Sequence, residues 1–269
     1  MGMPRAKKGR HPHGRPQKGW GKMADRADIS KAKPILFQTG MVQAILRDRD
    51  PKTATRRLVK PQPKKSMVHK LGWCVAGDRG DIGKYGFGSS PHGGDVMFAK
   101  PPCEPGDILY VRETWQFIPC IECVRCWGGD ACGNVPVTYV DSHSIAEGCF
   151  AYRASHPKPE RLCWRPSIHM PKAAARIFLK VTDVQAGRLQ GIGLEGIMEE
   201  GVCPMPLPES HGRQPGGGVG SPDSRLKEAR ERFARLWDST VRKADIGAYG
   251  WDADPWVWEI KFERMDAIG

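Results

Sequence analysis

The 269-residue sequence predicts an α+β fold, with a mixed and mostly antiparallel sheet or barrel and helices at its margins. Three observations lead to this class. The predicted elements follow in the order strand, helix, strands, helix, helix, strand. Each predicted strand alternates apolar with polar residues, whereas the strands of a parallel α/β sheet are continuous apolar runs. The 32 glycines and 23 prolines indicate many turns and irregular insertions.

The first elements are a short strand and a short helix. The segment KPILFQ, residues 33–38, predicts the strand. Thr39 is the predicted N-cap of a helix that begins near Gly40, and Pro51 ends that helix. A turn at residues 105–107, which reads Pro-Gly-Asp, introduces the next strand.

The second half of the chain has clearer periodicity. A period of two predicts one strand in the segment AARIFLKVTDV and another in PWVWEIKFERM. The segment LQGIGLEGIMEEGV predicts a short helix that Gly201 closes, and SPDSRLKEARERFARLWDST predicts the longest helix. The apolar positions are Ala175, Ile177, Leu179 and Val181 in the first strand, Leu226, Ala229, Phe233, Leu236 and Trp237 in the long helix, and Trp256, Trp258, Ile260 and Phe262 in the last strand.

The composition divides the chain into a tail and one domain. Residues 1–32 are rich in Gly, Pro, His and cations and have little to bury, so they predict a disordered basic tail. Residues 33–269 form the predicted domain, with irregular insertions at about 62–100, 118–149 and 204–222. Met23 is an alternative start to Met1, in which case the tail is no part of the protein.

The charge and hydropathy of the chain restrict its location and partners. The formal net charge is +12, and residues 1–33 hold ten Lys or Arg against two Asp. Such a tail attracts nucleic acid without specificity. No apolar run approaches the roughly 20 residues that a membrane span requires. The N-terminus also lacks the apolar segment of a secretory signal, so we expect a cytoplasmic protein without membrane contact.

The stretch DRDPKTATRRLVKPQP concentrates cations and hydroxyls directly after the first helix. One interpretation is a solvated basic loop. The other is an active-site segment, because Lys52 and Thr55 lie three residues apart. A buried lysine with a lowered pKa can act as the base that a threonine nucleophile needs. Arg56 or Arg57 is then placed to hold a phosphate or an oxyanion.

Two adjacent carboxylates, Glu199 and Glu200, fall in the last turn of the predicted short helix. A carboxylate there opposes the helix dipole at a cost of a few tenths to about 1 kcal/mol when it is exposed. An unfavourable local placement is either accidental or the mark of a functional site.

Several segments resemble the ASCH-domain proteins of bacteriophages and prophages, which are often labelled morphogenetic or hypothetical phage proteins. The segments occur in the family's order. The resemblance covers about residues 33–61, 101–117, 150–203 and 226–265. It implies the PUA-like fold, which is a small β-barrel with flanking helices. The segments are KPILFQTGMVQAILRDRDPKTATRRLVKPQP, PGDILYVRETW, YRA, WRPSIHMPKAAARIFLKVTDVQAGRLQGI with EGIMEEGV, and FARLWDST with WDADPWVWEIKFERM.

The same resemblance implies a function in binding RNA or a modified nucleoside. One bacterial branch is similar to amidohydrolases that remove the acetyl group of N4-acetylcytidine, with a Lys-x-x-Thr motif and a later glutamate. Here these positions are Lys52, Thr55 and Glu200, which implies a general base, a nucleophile and a proton donor or orienter for the leaving amine. This chemistry requires no cofactor. The alternatives are binding without catalysis and a non-catalytic phage accessory or assembly protein.

Aromatic and arginine side chains outside this motif offer a second type of site. Aromatic residues beside glycine, proline and arginine are typical of surfaces that stack bases, and the alternating arginines then contact phosphates. The alternative is that these aromatic rings belong to the core. The candidates are Arg112, Trp115, Tyr152, Arg153 and Trp164.

Four cysteines in PCIECVRCWGGDACG form a compact cluster. Four thiolates complete the tetrahedral shell of a structural zinc ion. Free thiols and an iron–sulfur centre are the alternatives, although the spacing departs from the usual iron–sulfur pattern. The candidate zinc ligands are Cys120, Cys123, Cys126 and Cys132.

Overall fold

The computed structural model describes residues 29–75, 77–122, 137–141, 144–156, 163–202 and 222–265. Backbone contacts divide the chain into two units, Met1–Lys31 and Ala32–Gly269, and the sheets and helices given below belong to the second. Of the predicted tail, only residues 29–32 are described. The predicted insertion at 204–222 lies outside the described residues apart from residue 222. In the described part of the chain, no helix is both long and apolar enough to cross a membrane.

Eleven strands and four α-helices are described, and they make this a strand-rich α+β protein. The strands are β1 Lys33–Leu36, β2 Ala54–Leu58, β3 His69–Trp73, β4 Tyr85–Ser90, β5 Gly93–Ala99, β6 Ile108–Arg112, β7 Trp115–Pro119, β8 Val137–Asp141, β9 Ser144–Tyr152, β10 Phe178–Arg188 and β11 Trp256–Arg264. The helices are α1 Thr39–Ile45, α2 Leu194–Glu199, α3 Pro222–Thr240 and α4 Ile246–Tyr249.

A five-stranded mixed sheet in the order β1-β6-β10-β11-β2 forms the centre of the fold. β1 and β6 are parallel, and the other neighbours are antiparallel. The prediction of a mixed, mostly antiparallel sheet is therefore confirmed. Within the described residues no ladder of backbone hydrogen bonds closes this sheet into a barrel. β1 and β2 are its two edges, and the Arg57 side chain of β2 donates a 2.6 Å hydrogen bond to the Leu36 carbonyl of β1.

The main core lies between this sheet, α1 and a smaller sheet in the order β3-β4-β5. The apolar alternation of β11 is confirmed, because Trp256, Trp258, Ile260 and Phe262 are all buried. A second apolar cluster joins α3 and α2 through Phe233, Ile197 and neighbouring residues. The Thr53 backbone amide donates to the Glu199 carbonyl at 2.8 Å, which holds the end of α2 against the residue before β2.

Three expectations about local structure are corrected. Residues 62–100 are not an irregular insertion, because β3, β4 and β5 form an antiparallel sheet there. Part of the region 118–149 is also ordered, since β7, β9 and β8 form a third sheet. The N-cap of α1 is Gln38 rather than Thr39, and its side chain makes no capping hydrogen bond.

Candidate active site

A buried ion pair joins two segments that lie 148 residues apart in the chain. The Lys52 ammonium donates to a carboxylate oxygen of Glu200 and, at 3.0 Å, to the Glu200 backbone carbonyl. Lys52 is 2% exposed and Glu200 is 5% exposed. Burial lowers the pKa of Lys52 below its ordinary value, while the charge and the hydrogen bond of Glu200 act in the opposite direction. The pair is therefore a lysine and a carboxylate held together out of water.

Arg56 extends this pair into a charged network. Its Nη1 lies 3.4 Å from Glu200 Oε1, and its Nη2 lies 3.0 Å from Glu259 Oε2 on the neighbouring strand β11. The strand register places Arg56 opposite Glu259, which explains the second contact. Arg56 is itself buried. It also donates to the Gly196 carbonyl at 3.4 Å, and its two carboxylate partners balance its charge within the network.

Arg57 has a different environment from Arg56. Its guanidinium donates to the Leu36 carbonyl and lies 5.1 Å above the ring of Phe37. Among the described residues no carboxylate is within ion-pair distance of Arg57. Burial lowers the pKa of Arg57, and the charge of Glu200 opposes that shift. The network thus contains three cations and two carboxylates, and Arg57 is the cation whose partner is not a carboxylate.

Two glycines in and after α2 allow these side chains to approach. Arg56 packs closely against Gly196, since a Cβ added at this glycine would lie 2.9 Å from Arg56 Nη2. Gly201, which follows Glu200, has a φ of +78° that closes the helix as the sequence predicts. Lys52 also satisfies a terminal carbonyl of this helix, and its charge offsets the unfavourable position of the Glu200 carboxylate at the negative end of the dipole.

The Gly201→Ala substitution is expected to destabilise the protein by about 1–3 kcal/mol through strain and overpacking. An added Cβ would lie 2.7 Å from Ala44 Cβ and 3.0 Å from Lys52 Cβ. Urea denaturation measures the change in the free energy of unfolding. Gly187→Ala is the control, because its Cβ meets nothing within 4 Å. Equal stability of the two variants would contradict the close packing at Gly201.

A cavity of about 410 Å³ opens beside the charged network, and we call it the Thr55 cavity. Thr55, Arg56, Arg57 and Glu200 all line it, whereas Lys52 lies behind Glu200 and is not part of the lining. The rest of its wall comes from β1, α1 and the turn between them, from α3, and from Thr114 and Ser167. These other lining residues are Leu36, Phe37, Gln38, Thr39, Met41, Thr114, Ser167, Phe233, Leu236, Trp237 and Thr240.

A second cavity of about 400 Å³ lies along the same pair of edge strands, and we call it the cationic cavity. It shares Leu36 and Arg57 with the Thr55 cavity. Arg112, which the sequence predicts as a phosphate contact, lines the cationic cavity instead of the Thr55 cavity. Its Nη2 donates to the Ile168 carbonyl, and its Nε is buried with no hydrogen-bond partner.

Two of the predicted stacking aromatics are engaged within the protein. Trp115 is 0% exposed and packs against Tyr139 and Phe150, so the prediction that it stacks on a base is wrong. The ring of Tyr152 carries the Arg176 guanidinium at 4.1 Å, and its hydroxyl donates to the Ala174 carbonyl. The spacing of these residues could not distinguish a core ring from an exposed one.

Two further predicted ligand residues do not line either cavity. Arg153 is exposed, and its backbone amide donates to the Thr114 carbonyl. The ring of Trp164 is 5.7 Å from that of His156. Neither residue lines the Thr55 cavity or the cationic cavity.

The predicted zinc site falls mostly outside the described residues. Cys123, Cys126 and Cys132 are not described, and Cys120 is a half-buried free thiol in a 3₁₀ turn, Cys120–Glu122. Within the described ranges no three His, Cys, Asp or Glu side chains form a metal-binding group. Zinc binding therefore remains a prediction.

Several site residues could not be recognised from the sequence. Phe37 lies between two cations, with Lys52 Nζ 5.8 Å and Arg57 Cζ 5.1 Å from its ring centre. Glu259 reaches Arg56 only through the pairing of two distant strands. The sequence does contain one indication of this site, which is that Gly196 and Gly201 flank Glu200. Glycines around a carboxylate indicate that other groups approach it closely.

No protein-family model, no curated protein and no solved structure matches this chain.

Proposed function

We propose that this chain is a nucleoside-binding protein of the ASCH type with a PUA-like fold. Three features support the class: the order of the elements, the central sheet whose edge strands β1 and β2 meet through the Arg57 side chain, and a cavity beside that junction. More specifically, we propose an amidohydrolase that removes the acyl group from N4-acylated cytidine.

The observation that carries the proposal is the convergence of Lys52, Thr55 and Glu200. The threonine and the glutamate line one cavity, and the lysine is ion-paired to the glutamate. A volume of about 410 Å³ falls within the roughly 300–1,000 Å³ of small-ligand sites. Both polar and apolar residues line the wall, which suits a planar base with polar edges.

The proposed reaction begins with attack by the Thr55 hydroxyl on the carbonyl carbon of the exocyclic amide. The hydroxyl proton passes to the Lys52–Glu200 pair as the new C–O bond forms. The tetrahedral intermediate then collapses, the C–N bond breaks, and the pair returns the proton to the departing amine. Water hydrolyses the resulting acyl-threonine ester, so the products are cytidine and a carboxylate.

The environment of each group suits its proposed role. A lowered pKa raises the fraction of neutral amine at Lys52, which a general base requires. Glu200 lies between Lys52 and the cavity and is the group that can exchange a proton with the substrate. Arg57 lines the cavity without a carboxylate partner among the described residues, so its guanidinium is the donor available for the oxyanion.

Release of cytidine from N4-acetylcytidine tests the proposal. The full chain is expected to liberate cytidine and acetate in equal amounts, as measured by chromatography, and a brief incubation is expected to leave an acetyl ester on Thr55 that mass spectrometry locates. Binding of the nucleoside without release would retain the binding class and exclude the hydrolase. Absence of both would contradict the proposed function and leave the non-catalytic accessory role.

A further inference from the structure

The cationic cavity has a charge composition that sets it apart from an ordinary surface depression. Four cations line it, and no carboxylate is among its lining residues, which are all described. The cations are Arg57, Lys60, Lys100 and Arg112. None of the four makes an ion pair with a carboxylate in the described part of the chain.

The carboxylate of nearby Asp107 is already engaged outside the cavity lining. Asp107 holds Lys33 through a 2.6 Å ion pair and also accepts the Glu104 backbone amide at 2.7 Å. The thiol of Cys103, which lines the cavity, stays protonated, because burial and the charge of Asp107 raise its pKa to about 12. Four like charges around one cavity repel one another, and a bound anion relieves that repulsion.

Two of the four cations are built into the fold, and two are exposed at the rim. Arg57 spans the edge strands β1 and β2, and Arg112 ends β6 with a buried Nε that has no hydrogen-bond partner. Lys60 and Lys100 are exposed, and Lys60 Nζ lies 6.0 Å from the ring of Tyr249. Guanidinium groups at the wall with ammonium groups at the rim match a phosphate, which accepts several charge-assisted hydrogen bonds.

The cationic cavity lies directly beside the Thr55 cavity. The Arg57 side chain and Leu36 belong to both linings, so the two cavities are separated by one shared wall. A nucleotide carries its base and its phosphate on different carbons of one ribose, so the two groups occupy neighbouring but separate sites. A base in the Thr55 cavity would therefore direct a phosphate of the same chain toward the cationic cavity.

We propose that the cationic cavity binds a backbone phosphate of a single-stranded nucleic acid whose modified base occupies the Thr55 cavity. This inference rests on the proposed function for the identity of the base. A nucleotide within a strand is then bound more tightly than the free nucleoside, which occupies the Thr55 cavity alone. The phosphate of a mononucleotide offers the same chemistry, and the experiment distinguishes the two sources.

The experiment measures binding of a fluorescent single-stranded RNA hexamer that contains one N4-acetylcytidine, using the full chain and its Lys60→Ala/Lys100→Ala double variant. At 0.1 M salt the double variant is expected to lose about tenfold in affinity. Loss of the contacts to this one phosphate is also expected to reduce the slope of log affinity against log salt by about 0.7. Lys180→Ala/Lys243→Ala is the matched control, because both lysines are exposed and line neither cavity. All the proteins keep the cations of residues 1–33, so the contribution of the tail is common to them.

Further probes separate the possible outcomes. Weaker binding of cytidine 5′-monophosphate by the Lys60/Lys100 variant indicates a terminal phosphate, and an effect confined to the hexamer indicates a backbone phosphodiester. Equal losses in the two double variants, or a hexaglutamate peptide that binds as tightly as the RNA, would overturn the proposal. If free N4-acetylcytidine is hydrolysed but the Lys60/Lys100 variant binds RNA normally, the phosphate site fails and the proposed function stands. If no nucleoside is bound or hydrolysed but the selective loss of RNA affinity is seen, the phosphate site stands and the proposed function fails.

Discussion

Replacing Glu200 with glutamine is expected to lower the free energy of unfolding by about 3–5 kcal/mol, the cost of breaking a buried ion pair. The substitution keeps the size of the side chain but removes the anion that faces Lys52 and Arg56. Both cations are buried, so solvent cannot replace the lost charge. Denaturant unfolding at neutral pH measures this change.

Glu199→Gln is the matched control for this prediction. Glu199 is the neighbouring residue, its ion pair with Lys261 is partly exposed, and its loss is expected to cost at most about 1 kcal/mol. The double substitution Lys52→Met/Glu200→Leu is expected to recover part of the stability lost in Glu200→Gln, because it removes both charges of the pair. Equal effects of Glu199→Gln and Glu200→Gln would show that the buried pair contributes no more than a surface pair.

The cost of Glu200→Gln is also expected to depend on pH. Without its carboxylate partner, the pKa of Lys52 in the folded variant lies still further below the 10.5 of an unfolded lysine. The unfolded chain then binds more protons than the folded chain between these two values. Stability of the variant therefore rises with pH across that window relative to the wild-type protein. Unfolding curves at pH 7 and pH 9 measure the difference.

Replacing Thr55 with alanine is expected to lower the rate of N4-acetylcytidine hydrolysis at least about a thousandfold, as for other covalent nucleophiles. The variant retains the buried charges and the rest of the cavity wall, so nucleoside affinity is expected to change little. Its free energy of unfolding is expected to fall by only about 1 kcal/mol. Steady-state turnover and nucleoside titration separate the loss of chemistry from a loss of binding.

Thr53→Ala is the control for the nucleophile. Thr53 has the same side chain, lies two residues earlier and does not line the Thr55 cavity. Its turnover is expected to stay within about twofold of the wild-type value. Hydrolysis by Thr55→Ala at the wild-type rate would exclude the covalent mechanism.

The sequence predicted the elements whose periodicity is strong. In the predicted stripe of α3, Ala229, Phe233 and Trp237 are buried, and Leu226 and Leu236 are half-buried. The alternation in β11 is buried as expected. Each of these patterns extends over several turns or pleats, so one irregular residue does not obscure it. The predicted short helix is also present, and it brings Glu200 to Lys52.

The sheet of β3, β4 and β5 could not be predicted in the same way. Its strands contain Gly72, Gly86 and Gly88, which interrupt the apolar alternation and are unfavourable in strands. What holds the sheet is tertiary packing: the Phe87 ring lies 5.1 Å from that of Trp256, more than 160 positions later. A local pattern carries no information about such a partner.

The contacts that build the candidate site could not be predicted from the sequence either. The Lys-x-x-Thr spacing identified Thr55, but the partnership of Arg56 with Glu259 depends on the register of β2 against β11. Arg57 lines both cavities because the edge strands β1 and β2 lie close to each other in the folded protein. These are properties of the assembled sheet rather than of any segment.

The long separation between Lys52 and Glu200 has a consequence for how the protein matures. Contacts of such high contact order must overcome a large loop-closure entropy, so they form late. A chain still emerging from the ribosome can form α1, but Lys52 has no Glu200 partner until α2 is synthesised, and β2 has no neighbour in the central sheet until β11 follows. If the proposed site is catalytic, its activity therefore requires complete folding. A ligand that contacts both segments would stabilise the native state, because it binds only the folded chain.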